Sequence, residues 1–397
     1  MKKKVAFVAI NLNVGGTEKA LLNMLTVMPK DQFDITLILL ENRGEFRNQV
    51  PEGVKTIIYD QYPSIKAVIN DPLPQTVLHT LKQGRILKGI RYFSFYIVQK
   101  LWGKKQRLFH ELTTLAPLDI HECYDVAIAY AGPMEFISYL VIEKIKAAKK
   151  IQWIHFDLSK LTIDVKYWNT MYRKFDNIFA VSKEGKDHLV SCFPEFMNKT
   201  ETFLNVFSPE LILQMAENGN GFKDNFKGFR ILTVGRLSFE KGQDLIIKVL
   251  ARLKGEGHCV RWYCVGEGPM RSEYEALIKK YSLEEDFILL GLQTNPYPFM
   301  KECDLYVQPS RHEGYCLTLT EAKLFKKPIV ATNFAGANEQ ISNNKTGIIV
   351  NFDEEELLTA LNRILNDHDH YQRIKANLEK EQIVYRGDLN KFYTLLN

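Results

Sequence analysis

Ser310-Arg311-His312-Glu313-Gly314-Tyr315-Cys316-Leu317-Thr318-Leu319-Thr320-Glu321-Ala322 stands directly behind the apolar run Asp304–Pro309 and ahead of a helical pattern that opens near Leu317. Strand, loop and helix in that order form the repeating unit of a parallel sheet. The first turn of such a helix presents unpaired N–H groups and the positive end of its dipole, a setting that suits a pyrophosphate. Glu313 falls in the loop at the sheet's edge, where it is expected to point into a cleft. Glu321 falls about one turn inside the helix. Two carboxylates so placed can accept hydrogen bonds from two sets of vicinal hydroxyls. A solvated loop acid and an ordinary helix-surface glutamate are the plainer reading of the same spacing.

Outward from this unit the alternation fills the chain. Phe229–Gly235, Cys259–Gly266, Phe287–Gly291, Pro328–Thr332 and Gly347–Val350 are short apolar runs with helical segments between them. Before them come Val5–Ile10, Phe33–Leu40, Val54–Tyr59, Tyr124–Tyr130, Lys150–His155, Asn177–Val181 and Glu201–Asn205, with a helical pattern over Thr17–Met28. Continuous apolar strands separated by helices predict parallel sheets covered on both faces. Between the two sets, Ser208–Gly228 contains Asn218-Gly219-Asn220-Gly221, and this stretch is expected as a linker. The predicted fold is α/β, with two doubly wound, Rossmann-like domains over 1–207 and 229–379. A last helical segment, about 380–397, is expected to return to the first. Ligands of such sheets bind at the carboxyl ends of the strands, so two facing sheets make one cleft.

Composition narrows the function classes. The chain has 397 residues, 46% apolar and 25% charged, enough for two cores. A net charge of +5 fits an anionic ligand or surface, but no basic patch carries a zinc-finger or RNP signature, so nucleic acid is not expected as a partner. The six cysteines form no CxxC and mostly sit in apolar runs, which predicts buried free thiols and a reducing, cytoplasmic setting. The apolar run behind Met1-Lys2-Lys3-Lys4 breaks at Asn11, too soon for a secretory signal.

Three further elements sit at strand ends. In Val234-Gly235-Arg236-Leu237-Ser238-Phe239-Glu240-Lys241-Gly242, two cations flank a turn and could neutralise a departing diphosphate. Ordinary surface charge is the alternative. In Asn13-Val14-Gly15-Gly16-Thr17-Glu18 the glycines would let backbone approach a ligand, or simply make a tight turn; the pattern is not GxGxxG. In Trp153-Ile154-His155-Phe156-Asp157 the histidine ends a strand and faces the cleft, unless it is a satisfied core residue.

These four elements, in this order, resemble the retaining GT-B glycosyltransferases of family four. Glu313 and Glu321 match the E-x7-E motif, Arg236 and Lys241 the G-R-[LF]-x-x-x-K-G segment, Gly15-Gly16 the glycine loop, and His155 the cleft histidine. Val265–Pro269 and Asp304–Ser310 are similar to further family signatures. The likeness runs from about residue 5 to about 366, strongest over 229–350 and weakest over 60–120. It implies that Glu313 meets the donor sugar, Glu321 the ribose, Arg236 and Lys241 the diphosphate, and the amides of Leu317 and Thr318 the phosphate, with Gly15, Gly314, Tyr315 and Cys316 also binding the donor. It implies backbone contact from Leu292 to the base, approach of Gly16 to phosphate or sugar, and orientation of the sugar by His155. Cys316 stands where many relatives have glycine, and its side chain is expected to narrow the phosphate-side loop.

Two stretches need weighing. Asp367-His368-Asp369-His370 looks like a metal-binding DxD, but it lies between helical segments and reads as a solvated helix-terminus turn. No metal or other cofactor is therefore expected; cations and helix dipoles would neutralise the leaving group. Lys82–Phe109 holds Lys82, Arg85, Lys88, Arg91, Lys100, Lys104, Lys105 and Arg107 interleaved with Tyr92, Phe93, Phe95, Tyr96 and Trp102, with no acid. It reads equally as a surface for anionic membrane or as a packed helix with a wet basic face. The resemblance implies transfer from a nucleotide-sugar donor, UDP favoured, to a glycan or lipid-linked hydroxyl acceptor in cell-surface polysaccharide assembly. The rivals are a GT-B sugar-nucleotide epimerase and a non-catalytic nucleotide-sugar-binding subunit.

Overall fold

A computed structural model describes residues 1–70, 73–82, 84, 86–87, 89–90, 92–93, 105–132, 134–156, 158, 164–381 and 389–396. The first sheet holds β1 (Lys3–Ala9), β2 (Phe33–Leu39), β3 (Lys55–Ile58), β4 (Cys123–Gly132), β5 (Lys146–Ile154), β6 (Asn177–Ala180) and β7 (Thr200–Thr202), in the order β3-β2-β1-β4-β5-β6-β7. The second holds β8 (Phe229–Val234), β9 (Val260–Val265), β10 (Phe287–Gly291), β11 (Leu305–Gln308), β12 (Ile329–Thr332) and β13 (Ile348–Val350), in the order β10-β9-β8-β11-β12-β13. All strand pairings named for both sheets are parallel.

The apolar runs are continuous because both faces of each sheet are covered. Along β1, Ala6 and Val8 join one buried cluster while Val5, Phe7 and Ala9 join another. Trp262 and Cys264 of β9 likewise face away from Tyr263 and Val265. In each sheet the strand order reverses once, between β1 and β4 and between β8 and β11. A crevice opens at such a switch point because consecutive helices leave to opposite faces. The glycine loop follows β1, and the two charged loops follow β8 and β11.

The stretch 208–228, expected as a linker, is instead built onto the second domain. Ser208 caps the helix Pro209–Glu217 by accepting from Leu211 N–H at 3.3 Å, and Ile212 and Ala216 enter the cluster of Tyr263 and Met300. Phe222 lies on Tyr263 with centroids 4.3 Å apart, and Asp224 accepts from the Tyr263 hydroxyl at 2.6 Å. The glycines there serve close packing: a Cβ on Gly219 would come 2.4 Å from Pro298. Val206 still belongs to the first core and Phe207 to the second, so the chain crosses between them. The helix Leu389–Leu396 lies on the first domain, where Phe392 packs against Trp153 and Phe203.

Only three cysteines are buried, Cys264, Cys303 and Cys316; Cys123, Cys192 and Cys259 are exposed, and all six are free. Cys123 and Cys259 stand where β4 and β9 begin, and such sheet ends are less covered than strand middles. Much of the basic-aromatic stretch, including Arg85, Lys88, Arg91, Phe95, Tyr96, Lys100, Trp102 and Lys104, lies outside the described residues. Of the rest, Tyr92 and Phe109 are core residues rather than part of an outward face, and Lys105 is paired with Glu135 at 2.8 Å. Among the described residues no helix is long and apolar enough to cross a membrane.

Candidate active site

The turn after β8 is shaped by Gly242, whose φ of 70° is open to glycine at no cost. A Cβ there would lie 2.1 Å from the Pro309 carbonyl, so the turn passes directly against the end of β11. That contact sets Lys241 beside Glu313, with Nζ donating to Oε1 at 2.5 Å. The same oxygen accepts from Ser310 Oγ at 2.7 Å and Gln308 Nε2 at 3.4 Å. Burial works against the Lys241 charge, but Glu313, with Cys316 and Glu240, raises the ammonium above the usual lysine range. Arg236, earlier in the loop, is exposed and holds no ion pair among the described residues.

The helix Leu317–Leu324 begins without a side-chain cap, and the amides of Leu317 and Thr318 donate to no group among the described residues. Cys316 does not narrow the loop as expected. Its side chain is buried with Tyr306 and Leu319 in the second core, the thiol 3.2 Å from Thr318 Oγ1. Glu321 is 5% exposed and accepts from the Tyr297 hydroxyl at 2.8 Å. Burial raises its carboxyl, against the Lys19 charge and the Tyr297 hydroxyl.

Lys19 comes from the first domain. Its Nζ lies 5.5 Å from the ring centroids of both Phe46 and Tyr297, so the helix Gly16–Val27 meets the second domain through it. A Cβ on Gly16 would meet nothing within 4 Å, which leaves that backbone open to the cleft. On Gly15 it would lie 2.4 Å from Glu18 Oε2. Burial raises the Glu18 carboxyl, while the Arg236 charge across the cleft lowers it.

His155 is 8% exposed, its ring 4.5 Å from that of Tyr130, and its Nε2 has no hydrogen-bond partner among the described residues. Burial brings it down to about 3, so the imidazole is neutral at ordinary pH. Gly314 lies against its backbone: a Cβ would come 2.1 Å from the His155 carbonyl oxygen. Tyr315 beside it packs on the first core. Leu292 stands exposed after β10, two strands from β8.

The structure thus brings His155, Gly314, Glu313 and Lys241 together, with Glu321 on the helix behind and Leu292 at the far edge. Sequence reasoning missed Gln308, Ser310 and Tyr297, which hold the two carboxylates, and Glu18 and Lys19, which reach across from the first domain. Ser310 three residues before Glu313 was a readable signal. Tyr297 had none, being 24 residues from Glu321. Asp367 caps the helix His368–Lys380 by accepting from His370 N–H at 2.8 Å. No group of three or more His, Cys, Asp or Glu among the described residues could hold a metal ion.

Two parallel-sheet domains with facing switch points, and charged loops at the second, define a GT-B architecture. Residues 219–381 of this chain match the family described as Glycosyl transferases group 1. Among its relatives is the N-acetylgalactosamine-N,N'-diacetylbacillosaminyl-diphospho-undecaprenol 4-alpha-N-acetylgalactosaminyltransferase of Campylobacter jejuni, 28% identical over 383 residues, 96% of this chain and 92% of that one. Anabaena HepE in complex with UDP shares the fold with a TM-score of 0.66 at 18% identity, over 100% of this chain and 98% of that one. The sucrose-phosphate synthase of Thermosynechococcus elongatus superposes with a TM-score of 0.71 at 13% identity, over 100% and 99%.

Proposed function

We propose that this glycosyltransferase moves a sugar from a nucleoside-diphosphate sugar, UDP favoured, to a hydroxyl of a glycan or lipid-linked acceptor, with retention and without a metal. The observation that carries this is the Lys241–Glu313 pair at the edge of the second sheet, facing His155 across the cleft. Lys241 and Arg236, with the free amides of Leu317 and Thr318, neutralise the diphosphate as it leaves. Glu313 is held by three donors on one oxygen, which aims the other at the sugar's hydroxyls. Glu321 takes the ribose, and the backbone at Leu292 meets the base. Neutral His155 positions the sugar without adding charge beside the cations. The bond from the anomeric carbon to phosphate breaks, the acceptor oxygen takes its place on the same face, and its proton passes to the departing phosphate.

A lipid-linked acceptor is supported by the Campylobacter relative, whose name specifies an undecaprenol diphosphate. It is supported also by Leu78, Leu81, Ile86, Leu87, Ile90 and Phe93, exposed within one stretch of the first domain, which suit a peripheral contact with an anionic cytoplasmic membrane face. The test is incubation with UDP-, GDP- and ADP-sugars, with and without lipid-linked acceptor, following nucleotide and glycoside. Free sugar without glycoside would mark an epimerase, and binding without turnover a non-catalytic subunit.

A further inference from the structure

Arg311 lies two residues before Glu313, yet its guanidinium is engaged elsewhere. It is sandwiched between the rings of Phe239 and Phe352, each centroid 4.1 Å away. Nη1 and Nη2 grip Asp244 at 2.8 and 2.6 Å, and Nη1 also donates to the Phe239 carbonyl at 2.7 Å. The backbone amide of Arg311 donates to the Glu240 carbonyl at 2.8 Å. Every one of these partners except Phe352 belongs to the turn Phe239–Lys241 or to the first turn of the helix Gln243–Gly255 behind it. Phe239 and Phe352 are both exposed large apolar side chains, and each lies in cation–π contact with the one guanidinium.

The two segments that Arg311 joins each carry one half of the charged pair. Lys241 closes the turn on one side, and Glu313 stands in the loop on the other. Nothing along the chain holds these segments in register, because they are 72 residues apart. Backbone contacts, at Gly242 with Pro309 and from the amides of Arg311 and His312 to the Glu240 carbonyl, set their approach but leave rotation about the line that joins them. The flat, bidentate fork of an arginine, stacked on two rings, removes that rotation as a lysine could not.

We infer that Arg311 is a positioning residue that fixes Lys241 against Glu313, so that the donor site is formed before donor arrives. This rests on the reading of that pair as the diphosphate and sugar contacts. Preorganisation of this kind affects both binding and turnover, since misplacement by about an ångström can cost up to about a hundredfold in rate.

The test is UDP affinity by calorimetry, with transfer kinetics, for R311A, R311K and D244N, and for R311A in a K241A background. R311A should weaken UDP binding about tenfold and lower kcat at saturating donor, with cooperative melting kept. R311K should fall between, because it keeps the stacking charge and loses the fork. In the K241A background, R311A should change UDP affinity less than about twofold, because both act through one pair. D244N serves the same comparison if R311A does not fold. The proposal is overturned if K241A weakens UDP binding while R311A and D244N leave affinity and kcat unchanged, or if R311A costs as much in the K241A background as alone. If K241A itself binds UDP normally, the donor-site reading fails, and this proposal with it.

Discussion

Glu184 and Glu339 each accept from backbone amides of the opposite domain, across the cleft. The Glu339 carboxylate accepts from the amides of Lys183 and Glu184 at 3.1 and 3.0 Å, and Glu184 accepts from the amide of Gly336 at 3.3 Å. Ser182 takes the next amide of the same helix, from Gly185, at 3.0 Å. The start of the helix Lys183–Cys192 is therefore closed partly by its own domain and partly by the other. An anion at a helix N-terminus is favoured by the free amides and the dipole.

Glu339→Ala should loosen this contact between domains without unfolding either. Loss of a cap costs about 0.5–2 kcal/mol, here from the closed arrangement. Small-angle scattering should show a larger radius of gyration, and KM for acceptor should rise. An unchanged scattering profile would show that the domains close without the cap.

Arg236→Ala and Lys241→Ala should each cost about 2–4 kcal/mol in the barrier, by analogy with removal of a donor to a developing anion. The measurement is kcat at saturating donor. If these cations neutralise the diphosphate as proposed, activity should persist in EDTA. Near-normal rates in both variants would defeat the clamp, and a loss in EDTA restored by Mg²⁺ would defeat the second expectation.

Burial of His155 takes its folded pKa from 6.5 to about 3. The unfolded chain then binds more protons than the folded one between those values, so stability falls as pH drops below 6.5. His155→Gln should flatten this part of the curve, read as urea midpoints from pH 4 to 7. A wild-type curve no steeper than the variant's would mean that the ring is charged in the folded state.

Anionic vesicles should float the protein at low salt, and less so as salt rises, since exposed charge is screened. Leu87 is 86% exposed, so Leu87→Ser with Ile90→Ser tests the apolar part and Lys100→Glu with Lys104→Glu the charged part. Lys105 is left intact because it holds Glu135. Equal flotation of all variants, or none for wild type, would return this stretch to a packed helix with a wet face.

The strands of both sheets and the opening of the Leu317 helix were legible because each depends on burial along a few residues. A strand covered on both faces is apolar throughout, and the Cys259–Gly266 run shows it: Trp262 and Tyr263 both end buried, on opposite faces. The placing of His155, Lys241 and Glu313 behind strands was legible too, since each follows the end of such a run. The stretch 208–228 was misread because glycine marks flexibility and close packing alike, and only the presence of Pro298 beside Gly219 separates the two. The pairings within the site were decided by the tertiary structure. Lys241 reaches Glu313 because β8 and β11 are neighbours in the sheet though not in the chain, and Glu339 reaches Lys183 across 156 residues. Periodicity records which side of an element is buried, while the partner of a side chain depends on strand order and on how the two sheets face, and neither leaves a local trace in the sequence.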